Sequence, residues 1–250
     1  MKQNIYDNKS FSKEYDKLRF ENQNNANNLI EHPAIISLLP DLKDKKILDL
    51  GCGYGEMDKY YKEQGAKSVL AIDISSHMIE VANECNKIDG VEFKVMAIED
   101  ISKYLKNQKF DIVVSSLAFH YVKDLDKLLK DIKDLLVPNG YLVFSQAHPI
   151  RTCFKSTKSL EDSTTFIDGK FYGYFSDYNR EGPRMRNWMG EQVERYHRNF
   201  STIINSLIEN NYVIEKMLEP SPTDEIVEKN PKFIQQWDRP YFLFIRSHID

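Results

Sequence analysis

Ten residues, Lys46-Ile47-Leu48-Asp49-Leu50-Gly51-Cys52-Gly53-Tyr54-Gly55, constrain this chain more than any others. An apolar run turns at once into a glycine-rich loop. Ile47, Leu48 and Leu50 read as a short buried strand. Glycines at 51 and 53 admit backbone angles that a Cβ forbids, and they let a ligand approach the main chain closely. A helix over 54–64 follows. Strand, tight turn and helix make the opening of a nucleotide-type binding site.

The rhythm of the chain supports an α/β fold. Strands over 47–50, 68–73, 91–96, 111–115 and 141–145 alternate with helices over 54–64, 76–85, 101–105 and 125–135. Such alternation needs crossover connections and builds a parallel sheet with helices on both faces. Strands such as Ile112-Val113-Val114 are almost wholly apolar, as double coverage requires. Pro138-Asn139-Gly140 reads as the turn before the fifth strand. Ahead of this core, residues 1–40 read as a helical cap. Ser12 is the expected N-cap of a helix whose Phe11, Tyr15 and Leu18 share one face, and a second helix over 34–39 stops at Pro40.

After His148-Pro149 the rhythm breaks. Phe166, Phe171, Tyr172, Tyr174, Phe175, Tyr178, Trp188 and Tyr196 crowd residues 151–198. This stretch reads as an aromatic insertion over the open end of the sheet, with a hairpin about Asp168-Gly169. A helix over 201–209 and strands over 213–217 and 241–246 resume the core. One domain of 250 residues is expected: cap 1–40, cofactor-binding core 45–147, insertion or acceptor lid 151–198, and end of the core 199–250.

A net charge of −4 with both signs interspersed gives no basic footprint for nucleic acid. Cys52, Cys85 and Cys153 show no metal-ligand spacing, and an odd, sparse set fits a reducing compartment. No apolar run approaches a membrane span, and the N-terminus lacks the apolar core of a signal peptide. A cytoplasmic protein with no metal and no membrane partner is expected. Nothing in the sequence signals an oligomeric state.

Two ligands compete for the glycine loop. A dinucleotide fingerprint wants G-x-G-x-x-G, but Glu56 holds the sixth position, and an acid beside a pyrophosphate is unfavourable. Asp73 stands about 20 residues beyond the loop, where a carboxylate can accept from two ribose hydroxyls. The string Leu48 to Gly55 resembles the first motif of class I S-adenosylmethionine-dependent methyltransferases. Ala71-Ile72-Asp73-Ile74-Ser75, Met96-Ala97-Ile98-Glu99-Asp100, Phe110 to Ser115 and Leu135 to Leu142 resemble that family's later motifs, in order. The resemblance implies a Rossmann-like, doubly wound seven-stranded sheet, mostly parallel with an antiparallel last strand. It implies S-adenosyl-L-methionine as cofactor and S-adenosyl-L-homocysteine as product. Ser115 to Val122 looks like the small-molecule and quinone-type branch, and an Asn/Asp-Pro-Pro-aromatic motif is missing there. The implied reaction is methyl transfer to a small-molecule acceptor at O, N or C. A nicotinamide-dependent oxidoreductase and a non-catalytic S-adenosylmethionine-binding module remain as alternatives.

The same resemblance assigns the cofactor residues. Asp49, Gly51, Cys52 and Gly53 fall on the methionine side, and Asp73 on the ribose. Ile74, Ala97, Ile98 and Glu99 fall on the adenine, with Met78 there or in the core. Ser115 ends the fourth strand, and Tyr15 is placed to close over the cofactor. His120 follows that strand, where ligands sit in open α/β sheets, so it could be a general base or a packing residue. Tyr121, His148, Tyr172, Tyr174, Arg184, Arg186, Trp188 and His197 are acceptor-side candidates. Arg184 and Arg186 flank Met185, so on a strand both face one way. Two cations on one face suit an acidic acceptor; a solvated edge strand is the alternative.

Overall fold

Consecutive apolar residues of a strand point to opposite faces, so both faces must be buried. In the computed structural model, which describes residues 4–154, 164–173 and 175–250, β1 (Lys46–Leu50) sends Leu48 and Leu50 into one cluster and Ile47 into another. Its neighbours repeat the division. β2 (Ser68–Asp73) splits Leu70 and Ile72 from Val69 and Ala71, and β4 (Phe110–Ser115) splits Val113 from Ile112 and Val114. With β3 (Val91–Val95), β5 (Leu136–Ala147), β10 (Val213–Leu218) and β11 (Phe242–His248) they form one seven-stranded sheet, ordered β10-β11-β5-β4-β1-β2-β3. β11 runs antiparallel to both neighbours; the other pairings are parallel. This is the Rossmann-like sheet with an antiparallel last strand that the sequence led us to expect.

Helices α5 (Ile101–Tyr104), α6 (Leu125–Leu135) and α8 (Phe200–Glu209) cover one face. Helices α2 (His32–Leu38), α3 (Glu56–Glu63) and α4 (Ser76–Cys85) cover the other. The logic is plain in α6. Leu125, Leu128, Leu129, Ile132 and Leu135 make one buried stripe, and Asp124 caps the helix by accepting from the Lys127 N–H at 2.9 Å. A short α9 (Asp224–Lys229) follows β10 and precedes β11 in the chain.

Three of the differences from expectation have a clear local reason. The helix expected from Tyr54 begins at Glu56, because Gly53 and Gly55 remain left-handed at φ 57° and 77°. β5 begins at Leu136, which pairs with Phe110 before the register shifts and resumes at Ile112 opposite Tyr141. Pro138-Asn139-Gly140 is therefore an excursion within the strand, with Asn139 at φ 59°. Asn8, not Ser12, caps α1 (Lys9–Asp16) by accepting from the Ser10 and Phe11 N–H groups at 2.9 and 3.2 Å.

Beyond β5, a short α7 (Pro149–Thr152) precedes two hairpins. β6 (Thr164–Ile167) and β7 (Lys170–Gly173) turn at Asp168-Gly169, both left-handed, as expected of that pair. Tyr174 lies outside the described residues. The second hairpin was not foreseen: β8 (Gly182–Trp188) and β9 (Glu191–His197) turn at Met189-Gly190, at φ 51° and 82°. A methionine at a left-handed position hides the turn from composition. The hairpin places Trp188 against the N-terminal segment, with ring centroids 5.2 Å from Phe11, 5.6 Å from Tyr15 and 6.3 Å from Tyr6. Among the described residues no helix is long and apolar enough to cross a membrane, and no His/Cys/Asp/Glu group could hold a metal.

Candidate active site

The carboxyl ends of β1, β2 and β4 meet at the glycine loop. The Gly51 and Cys52 N–H groups both donate to the Ile72 carbonyl, at 2.8 and 3.0 Å, and Gly53 N–H donates to Asp73 Oδ2 at 3.1 Å. Asp73 Oδ1 accepts from Ser75 N–H at 2.8 Å, so one carboxylate ties the loop after β1 to the loop after β2. Burial raises the Asp73 carboxyl above its ordinary value against these bonds. Gly51 has φ 80°, and a Cβ there would stand 2.7 Å from the Ala118 Cβ. Both conformation and close approach therefore require glycine. At Gly53 a Cβ would meet nothing within 4 Å; the loop there faces open space.

Asp49 is buried beneath the loop, and its Oδ1 has no hydrogen-bond partner. Burial pushes its carboxyl up to about 7 against the lowering effect of neighbouring Asp58, with the charges of Asp73 and Glu31 adding to the rise. Asp58 on α3 is wholly buried too; burial and the neighbouring Asp49 hold it well above the usual carboxylate range. Burial also pushes the Cys52 thiol well up, so it is not a thiolate nucleophile.

A cavity of about 520 Å³ lies over the loop. Asp49, Gly51, Cys52, Gly53, Asp73 and Ile74 form part of one wall, continued by Met78, Ile98 and Glu99. Tyr15, His120, Tyr121, Arg186 and Trp188 face it from other elements. The remaining candidates lie elsewhere. Ala97 is buried outside the lining, and Ser115 Oγ donates to the Leu50 carbonyl at 2.7 Å, bracing the loop from beneath. His148 caps α7, with Nδ1 accepting from the Ile150 N–H at 3.2 Å and Nε2 2.6 Å from Glu219 Oε1. His197 is held between the Thr152 hydroxyl and the Tyr178 carbonyl, each at 2.8 Å. Tyr172 is exposed. Arg184 is buried away from the cavity, donating to the carbonyls of Cys153 at 2.9 Å and Pro183 at 3.1 Å. Alternation on β8 gives a shared face, not a shared destination.

Several lining residues carry no site assignment from the sequence: Tyr6, Arg151, Arg195 and Tyr241. Only Arg195 left a trace, in the run Arg195-Tyr196-His197-Arg198. β9 buries Val193, Arg195 and His197 at period two. Glu56, at the sixth position of the loop, forms an ion pair with Arg19. Asp16 accepts from the Tyr54 hydroxyl and lies 3.2 Å from His77 Nε2. Asp7 accepts from Ser75 Oγ at 2.6 Å and from the His77 and Ser76 N–H groups at 3.1 and 3.3 Å. Burial opposes its charge, but these bonds and one from Asn4 outweigh it and hold the carboxyl at about 2. The N-terminal segment is thus pinned across the loop and the start of α4.

Residues 48–144 match the family model described as a methyltransferase domain. A solved S-adenosylmethionine dependent methyltransferase from Mesorhizobium loti superposes with a TM-score of 0.78, at 32% identity over 87% of this chain and 97% of that one. This chain belongs to the S-adenosylmethionine-dependent methyltransferase family. An uncharacterized Haemophilus influenzae protein is 39% identical over 249 residues, 97% of this chain and 96% of its own length. The ubiquinone biosynthesis O-methyltransferase of Neisseria meningitidis is 28% identical over 108 residues, 42% of this chain and 45% of that protein.

S-adenosyl-L-methionine is the cofactor of this methyltransferase, and the residues present fit it. An unpartnered, buried carboxylate oxygen on Asp49 suits an ammonium group. The backbone at Gly53 is open to a ligand where a side chain would intrude. The acid at Glu56, unsuited to a pyrophosphate, anchors the cap instead.

Proposed function

We propose that the enzyme methylates a small-molecule acceptor, at oxygen, nitrogen or carbon, in the half of the cavity opposite the glycine loop. The carrying observation is that one cavity of about 520 Å³ extends from Asp49 and Asp73 to His120, Tyr121 and Trp188. That volume suits a donor and a small partner together. The Neisseria relative, an O-methyltransferase of ubiquinone biosynthesis, supports the same class.

In this reading Asp49 takes the cofactor's ammonium group and Asp73 its ribose hydroxyls. Ile74, Met78 and Ile98 supply an apolar wall for the adenine, beside Glu99. When bound, S-adenosyl-L-methionine supplies an electrophilic methyl group on a sulfonium. The chain orients the acceptor and excludes water, with Tyr15 and Trp188 as part of the roof.

His120 acts as a donor in this scheme, not as a base. Its Nδ1 accepts from the Ala147 N–H at 3.3 Å, which leaves the proton on Nε2. Burial, with Arg195, Arg186 and Arg198 nearby, pushes the imidazole down to about 3. The neutral ring has no free lone pair, and its Nε2–H is available to an acceptor.

The test supplies the enzyme with S-adenosyl-L-methionine labelled in the methyl group and a cell extract divided by size. Label is expected in the fraction of small metabolites. Label confined to protein or nucleic acid overturns the small-molecule reading. Calorimetric titration should show S-adenosyl-L-homocysteine binding and no competition from NADH.

A further inference from the structure

Arginine cannot shed its charge at neutral pH, and burying it without an acid is costly. Three arginines line the acceptor half of the cavity. Arg151 on α7 and Arg195 on β9 are 9% and 5% exposed, and Arg186 on β8 is half-buried. Among the described residues none of the three has an ion-pair partner. Arg151 Nη1, Arg186 Nε and Arg195 Nε are buried without a hydrogen-bond partner. What surrounds them is aromatic or cationic. Arg151 stacks 3.4 Å from the Tyr241 centroid, Arg186 lies 5.3 Å from that of Trp188, and Arg195 Nη2 donates to the Arg151 carbonyl at 2.5 Å. The acids of the wall are engaged or distant: Glu56 holds Arg19, Asp73 holds two backbone N–H groups, and neither Asp49 nor Glu99 pairs with these arginines.

We infer that Arg151, Arg186 and Arg195 form the binding site for an anionic group, a carboxylate or a phosphate, on the methyl acceptor. The inference rests on the methyltransferase reading of this cavity and names the acceptor's class. Planar guanidinium forks recognise both anions with paired hydrogen bonds. Tyr6 lines the same cavity as Asp73 and Arg186, with its ring centroid 6.3 Å from that of Trp188. An anion held by the arginines thus sits beside the donor, with His120 Nε2–H as a further donor. The flat rings of Tyr121, Trp188 and Tyr241 suit an acceptor body that is planar and apolar. The same placement explains why Arg184 is not part of the site. It shares a face with Arg195, its cross-strand partner, but its guanidinium is spent on backbone carbonyls.

The experiment uses the full chain saturated with S-adenosyl-L-homocysteine. Benzoate and phenyl phosphate are titrated calorimetrically at constant ionic strength, with benzamide as the neutral counterpart of benzoate. At least one anion is expected to bind about tenfold or more tightly than benzamide, as a charge-assisted pair should. The anion that wins separates carboxylate from phosphate. Arg186→Gln and Arg195→Gln should each remove most of the preference, while Arg186→Lys, which keeps the charge without the fork, retains part of it. Equal binding of anions and benzamide overturns the proposal. So does failure of both anions to bind, or a preference that survives in both glutamine variants. Titration with S-adenosyl-L-homocysteine alone is the separate control. If it fails in the wild type, the cofactor reading falls, and the anion preference, measured on the protein alone, still decides the arginine site.

Discussion

The two halves of the cavity carry opposite charges and are built in opposite ways. The donor half is a property of the backbone. Its loop, its carboxylate tether and its helix start all fall within residues 49–78, at the ends of adjacent strands. Its excess charge is acidic, and burial raises Asp49, Asp58 and Asp73 alike. The acceptor half is a property of side chains gathered from afar: Tyr6, the segment at Phe119–Tyr121, α7, β8, β9 and Tyr241. Its excess charge is cationic, and burial lowers Arg151, Arg186 and Arg195. Each half lacks a counter-charge that a ligand can supply. The contrast teaches that a common cofactor can be held by contiguous loop geometry, whereas an individual acceptor needs a surface assembled by the whole fold.

The largest expected effect tests whether the halves are separable. Asp73→Ala removes the acceptor of the Gly53 and Ser75 N–H bonds and the expected ribose contact. It should weaken S-adenosyl-L-homocysteine binding by roughly 1–3 kcal/mol. Arg186→Gln should leave that affinity within about twofold, since it removes a group from the other half only. Calorimetry on both variants decides it. Equal losses would show that the halves act as one unit.

Gly51→Ala probes the backbone basis of the donor half. The substitution forces a Cβ into a left-handed residue and to 2.7 Å from the Ala118 Cβ. Stability should fall by about 1–3 kcal/mol. Gly53→Ala meets only the conformational cost, about 1 kcal/mol, but should weaken cofactor binding more than its stability loss suggests. Denaturant midpoints beside calorimetry would separate the two. A Gly53→Ala enzyme with unchanged affinity would remove that backbone from the ligand contact.

The opposite charges should also show as opposite pH slopes. Asp49 titrates near 7 in the folded state against an ordinary 3.8. Between those values the folded state keeps a proton that the unfolded chain has lost, so stability falls as pH rises from about 4 through 7. His120 titrates near 3 against an ordinary 6.5, so its contribution falls as pH drops below 6.5. Asp49→Asn should therefore help, or harm less, at pH 8 than at pH 5, by on the order of 1 kcal/mol or more. Thermal unfolding of wild type, Asp49→Asn and His120→Asn across this range checks the signs. Parallel curves for Asp49→Asn and wild type would refute the buried-charge account of that residue.

The same contrast explains what could be read from the sequence. The glycine loop and Asp73 are legible because the residues that act together are also close in the chain or repeat at strand ends. The sheet is legible because apolar strands and amphipathic helices alternate. Arg151 and Tyr241 carry no such mark: one follows a proline in a four-residue helix, the other precedes the last strand, and only the fold stacks them. Arg184 and Arg186 show the limit of pattern. Period two puts both on one face of β8, yet one is consumed by the carbonyls of the insertion and the other reaches the cavity. The start of β5 was hidden by Pro138 and Gly140, which mark a turn equally well inside a strand as before one.

The smallest expected effect concerns a residue that sequence placed in the acceptor half and the fold keeps out. His148 caps α7 and pairs with Glu219, whose side chain is 50% exposed. A pair with one partner in water contributes about 0–1 kcal/mol. Glu219→Gln should therefore shift the unfolding midpoint only slightly. His148→Asn, which keeps an N-cap acceptor, should leave the benzoate-to-benzamide preference and S-adenosyl-L-homocysteine affinity unchanged within about twofold. The sensitive readout is that preference, because α7 also carries Arg151. If His148→Asn removes the preference while the fold and cofactor affinity persist, α7 must be set by its cap, and the boundary of the acceptor half moves outward to include Glu219. If nothing changes, Arg151 is held by its stacking on Tyr241 and by the bond its carbonyl accepts from Arg195, and the acceptor half ends at the arginines.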